Sequence, residues 1–137
     1  MKRKVFAVLL IVLVLFATAA CGGGAPAPED VDGAFQSIGT GDTVFQFVIT
    51  GPDETVTGWD VHTDETTVGA ALLGVGLIAG DESDWGLMVT EVNGIVADWD
   101  ADGAFWAFYI DGEFAMIGVD AADIEPGVTY AFVYTQG

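Results

Sequence analysis

Residues 103–116, GAFWAFYIDGEFAM, hold two apolar runs separated by Asp111-Gly112. Such a pair reads as a β-hairpin, because a type I′ turn needs positive φ at both central residues and Asp and Gly tolerate it. Side chains alternate along a strand, so Ala104, Trp106, Phe108 and Ile110 share one face while Phe105, Ala107 and Tyr109 share the other. Both faces are sticky. A small sheet with a single helix buries one face, so either Trp106 and Phe108 or Phe105 and Tyr109 should be partly exposed unless a loop covers them.

The rest of the chain supplies elements for that hairpin to join, and its 137 residues suit one domain. Residues 43–50, TVFQFVIT, have strand composition, and a Gly-Pro-Asp-Glu turn cluster leads into a return strand over 55–63. Asp64, Glu65, Thr66 and Thr67 offer helix-start chemistry, and Val68, Ala71, Leu72 and Val75 follow at i, i+3, i+4, i+7. Gly69 and Gly74 weaken this helix, each by about 1 kcal/mol relative to Ala, so tertiary packing must hold it. Gly76 fits a left-handed C′ position with Leu77 and Ile78 closing behind it.

Residues 80–84 read as an acidic loop, and 85–92 as a further strand that turns at Asn93-Gly94 into a short return over 95–97. Glu125-Pro126-Gly127 fits a type II turn before a last strand over 128–135, with Val128, Tyr130, Phe132 and Tyr134 on one face. Hairpin, one helix, then several strands is an α+β order in which the helix covers one face of a mixed sheet.

Charge narrows the partners. The only basic residues are Lys2, Arg3 and Lys4, and removing those three from the formal −18 leaves −21 on the remainder. A surface of that sign repels phosphate backbones and anionic membranes, which excludes nucleic acid as a partner. The basic start, the apolar run over 5–16 and the small residues before Cys21 describe an export signal over 1–20. Thr18-Ala19-Ala20-Cys21 resembles a lipobox, so Cys21 is expected to carry lipid and anchor the protein to the outside of a bacterial membrane. Residues 21–42, rich in Gly, Pro and Ala, read as that Cys and a flexible tether, leaving 43–137 as the folded domain.

Over residues 66–81, 92–100 and 105–135 the chain resembles a family of bacterial surface lipoproteins of unknown function, whose domain is similar to the C-terminal β-grasp domain of transcobalamin and intrinsic factor. The run WAFYIDGE carries the most specific part of that likeness. The resemblance implies a β-grasp fold and, by analogy, cobalamin or another small ligand held by apolar and aromatic contacts.

Two candidate sites follow. Phe105, Trp106, Phe108, Tyr109, Phe114 and Met116, with Trp85 alongside, form the expected ligand surface, the alternative being that the hairpin aromatics are core. Asp98, Asp100 and Asp102 with Gly103 match the first half of a calcium loop, while Tyr109 stands where such a loop places its last acid. The alternative there is a solvated acidic loop. His62 has no second His or Cys at metal spacing. Ser37 and Ser83 lack a nucleophile elbow or a recognisable helper His, so no enzyme chemistry is expected. The expected function is a non-enzymatic small-ligand module, with a corrinoid as the named candidate. The alternative is a protein–protein or adhesion module on the cell surface, stabilised by calcium if that loop binds it.

Overall fold

The computed structural model describes residues 25–137. Cys21 and the export signal lie outside the described residues. Among the described residues nine strands form two sheets and two short α-helices lie between them: β1 (Gln36–Gly39), β2 (Thr43–Thr50), β3 (Val56–Thr63), α1 (Val68–Gly74), β4 (Ile78–Ser83), β5 (Gly86–Val92), β6 (Ile95–Val96), α2 (Trp99–Asp102), β7 (Ala104–Ile110), β8 (Glu113–Phe114) and β9 (Thr129–Gln136). The larger sheet has the order β1-β3-β2-β9-β7-β8, and β4, β5 and β6 form the smaller one. At its centre β2 runs parallel to β9, flanked by the antiparallel partners β3 and β7. This is a mixed sheet with one main helix, the expected α+β arrangement. Among the described residues no helix is long and apolar enough to cross a membrane.

Local chemistry accounts for the elements between strands. The Thr67 hydroxyl accepts from the Ala70 N–H at 3.3 Å and caps α1. At the other end Gly76 sits at φ 77°, its N–H donates to Leu73 O, and the Leu77 N–H donates to Leu72 O. Those two bonds are a Schellman motif, which satisfies carbonyls the helix would otherwise orphan. Both hairpin turns are as expected: Asn93 and Gly94 lie at φ 52° and 80°, Asp111 and Gly112 at φ 51° and 88°.

The core lies between the larger sheet and a layer made of α1 and the smaller sheet. Phe45, Phe47 and Ile49 of β2, Tyr130 and Phe132 of β9, and Trp106 and Phe108 of β7 all point into it. From the other layer come Val68, Ala71, Leu72, Leu77, Ile78 and Val92. Edge contacts tie the aromatics together, with Phe45 and Tyr130 at 5.6 Å and Phe47 and Phe132 at 6.0 Å between ring centres. The Tyr130 hydroxyl donates to Asp123 O and accepts from the Glu125 N–H, which fixes the loop before β9. Burial holds this phenol protonated and pushes its pKa up.

Three expectations are corrected. Residues 36–39, placed in the flexible tether, form β1, parallel to β3. The stretch before it is also attached: the Asp32 N–H donates to Val56 O, the Val56 N–H donates to an Asp32 carboxylate oxygen, and the Phe35 ring fills the space above Gly58. Ala25 to Pro28 lie half-buried beside Thr129 and Val133. This segment covers the second face of the larger sheet, where Val48, Ala107 and Ala131 are buried. One helix therefore need not leave a whole face bare.

The acidic loop expected at 80–84 is instead the end of β4, which pairs antiparallel with β5 across a bulge at Ala79/Gly80. Its acidic side chains stand in water while its backbone pairs, so composition hid the strand. Finally, Trp85 is not in β5 but in the β4–β5 turn, where the Ser83 hydroxyl accepts from the Trp85 N–H.

Candidate functional site

The two faces of β7 have different fates. Trp106 is 6% exposed, its Nε1–H donates to Ile95 O at 3.0 Å, and its ring meets Tyr134 edge-on at 5.4 Å. Phe108 is equally enclosed, stacked on Phe132 at 5.0 Å. On the opposite face Phe105 is 40% exposed and Tyr109 half-buried, with Tyr109 edge-on to Phe114 at 5.7 Å. A smaller sheet laid over the Trp106 side decides this, because Ile95 of β6 offers the carbonyl that a buried indole N–H needs.

A groove runs along the outer edge of β7. β8 pairs only with Tyr109 and Ile110, and Ala115 adds one bond to Phe108 O, so the strand's earlier residues have no strand neighbour on that side. Across the gap stands β5, which belongs to the other sheet. Leu87, Met88 and Val89 form one wall, and Phe105 to Phe108 with Phe114 and Ala115 form the other. Gly118, Val119 and Phe132 complete the lining. The groove has a volume of about 230 Å³. Its rim is unusually apolar for a surface: Met88 is 56% and Phe114 58% exposed.

The expected ligand residues thus divide. Phe105 and Phe114 stand on the rim of the groove, and Trp106 and Phe108 reach it only from its inner wall. Tyr109 supports Phe114 from the side. Trp85 and Met116, both 91% exposed, stand outside it. Leu87, Met88 and Val119 were missed by sequence reasoning. They come from segments that read only as generic strand and loop, and the gap between two sheets brings them to β7.

The expected calcium-loop residues take helical geometry. Residues 99–102 form a single helical turn, α2, and the Asp98 carboxylate caps it by accepting from the Asp100 and Ala101 N–H groups at 2.9 and 3.2 Å. Successive helical residues are separated by about 100°, so Asp100 and Asp102 point about 200° apart. Among the described residues no three His, Cys, Asp or Glu side chains are gathered as a metal would need. Gly103 turns the chain out of α2 at φ 63°, a helix C-cap rather than a metal-loop turn. His62 is half-buried at the end of β3.

Residues 64–136 match the profile of a domain of unknown function, DUF4430. The fold is similar to that of a candidate metal binding protein from Ruminococcus gnavus ATCC 29149, with a TM-score of 0.66 and 22% identity over 70% of this chain and 99% of that one. It is also similar to part of haptocorrin, solved in complex with Cbi, with a TM-score of 0.51 and 16% identity over 68% of this chain. There the likeness spans a quarter of the haptocorrin chain. The curated proteins gave no match.

Proposed function

The chain belongs to the DUF4430 domain family, and on that footing we propose that it is a non-enzymatic module that binds a small ligand in the groove between β5 and the edge of β7. The observation that carries this reading is the rim of Met88, Phe105 and Phe114, solvent-exposed apolar side chains around an apolar cleft in an otherwise acidic chain. Apolar surface of this kind gains about 25 cal/mol for each Å² removed from water, so covering it supplies most of the affinity.

A corrinoid is the ligand to try first, because haptocorrin shares the fold and was solved with Cbi. At about 230 Å³ the groove is smaller than the roughly 300–1,000 Å³ typical of sites that enclose a ligand. It therefore grips one edge or substituent of a larger molecule. Residues 1–20 and Cys21 support display of the module outside the cytoplasm on a lipid anchor. The exposure of Trp85 and Met116 beyond the groove favours a second reading, in which the same side of the domain docks on a cell-surface protein.

The test is a titration of the full chain with cobinamide and with cobalamin, followed by tryptophan fluorescence and the visible corrinoid spectrum. Saturable binding that weakens in Phe105→Ala and Phe114→Ala is the expected result. No spectral change with either corrinoid up to millimolar concentration would remove the corrinoid assignment and leave the docking reading.

A further inference from the structure

We propose that Asp120 makes this groove selective for ligands that join a flat apolar body to a positive charge. The inference rests on the groove reading and adds the ligand's charge to it. Asp120 belongs to a one-turn 3-10 helix over Val119–Ala121, whose first residue, Val119, lines the groove. Its carboxylate lies over two glycines. A methyl group built on either Gly86 or Gly118 would come within 2.9 Å of Asp120 Oδ1. Gly118 lines the groove and Gly86 precedes Leu87, which also lines it. The missing side chains at these two positions leave room for the carboxylate beside Gly118, next to the groove rather than in its lining.

Residues 25–137 contain no Lys or Arg. The charge of Asp120 is thus left for a ligand to meet, and the surrounding acidic surface adds to its field. A cation placed nearby would keep its apolar body against Phe105, Phe114 and Met88, and the two phenyl faces also favour positive charge. An anion of the same shape would meet repulsion from the same carboxylate.

Three probes sharing one fused-ring body separate these effects: 1-naphthylmethylammonium, 1-naphthalenemethanol and 1-naphthoate, titrated against the full chain by ligand-observed NMR at low and at molar salt. The ammonium should bind tightest and the carboxylate weakest, with the spread shrinking in molar salt. Asp120→Asn should weaken the ammonium about two- to fivefold, the range of an exposed ion pair, and leave the alcohol unchanged. Asp120→Glu should restore the preference. Equal binding of all three probes, or an Asp120→Asn effect as large on the alcohol as on the ammonium, would overturn the selectivity while leaving the groove as a site. If none of the probes bound, the groove reading would fall as well.

Discussion

Replacing Trp106 with Ala should cost far more stability than replacing its neighbour Phe105, although both are aromatic and adjacent on one strand. Trp106 is 6% exposed, and truncating a buried Trp typically costs about 3–5 kcal/mol. Its Nε1–H also satisfies Ile95 O, so the truncation abandons a hydrogen bond between the two sheets worth about 1 kcal/mol. The total of about 4–6 kcal/mol is a large part of the roughly 5–15 kcal/mol that holds a domain folded. Phe105 is already 40% exposed and leans on Trp99 at 6.2 Å, so its truncation should cost about 1–2 kcal/mol. Trp106→Phe keeps the packing on Tyr134 and loses the hydrogen bond, for about 1–2 kcal/mol. Urea unfolding read by far-UV circular dichroism compares all three without relying on the tryptophan removed. Equal costs for Trp106→Ala and Phe105→Ala would refute the assignment of the two faces of β7.

Gly76→Ala and Gly74→Ala should move the melting temperature in opposite directions. Gly76 is held at φ 77° with open space around it, so a methyl there costs only backbone strain, about 1–2 kcal/mol, whereas Gly74 ends α1 in open space and gains about 0.5–1 kcal/mol of helix propensity. The raised pKa of Tyr130 means that the unfolded chain loses this proton first. Its contribution is complete below pH 10 and is lost as pH rises through the folded value, so alkaline unfolding should be blunted in Tyr130→Phe, measured by denaturant titration across pH 9–12. With no Lys or Arg in residues 25–137, added salt should raise the melting temperature by screening repulsion among carboxylates; a scan unchanged between low and molar salt would contradict this.

What could be read from the sequence was what local chemistry decides. The Asn93-Gly94 and Asp111-Gly112 turns, the Thr67 cap and the Gly76 terminus each depend on a few adjacent residues, and each stands where it was expected. The misread segments depend on distant partners. β1 has the polar sequence QSIG and becomes a strand only because β3 offers it a parallel edge. β4 is acidic and exposed, and its bonds come from β5. The fate of the aromatic strand was undecidable for the same reason, since Ala104, Trp106 and Phe108 are as apolar as Phe105, Ala107 and Tyr109 in any one-dimensional reading.

The site is a further step removed from the sequence, because it consists of what two sheets fail to close. β8 stops after two residues, β5 stands off from β7 in another sheet, and the space between them belongs to neither strand's own pattern. Asp120 comes beside that space because two glycines far apart in the chain leave room for its carboxylate. The absence of Lys and Arg is plain in the sequence, but by itself it says only that the surface is acidic. Once one carboxylate is seated beside an apolar cleft, the same absence becomes a constraint on the ligand. Any protein cation placed there would have neutralised Asp120 and erased the preference, so the composition and the groove together select for charge where neither does so alone.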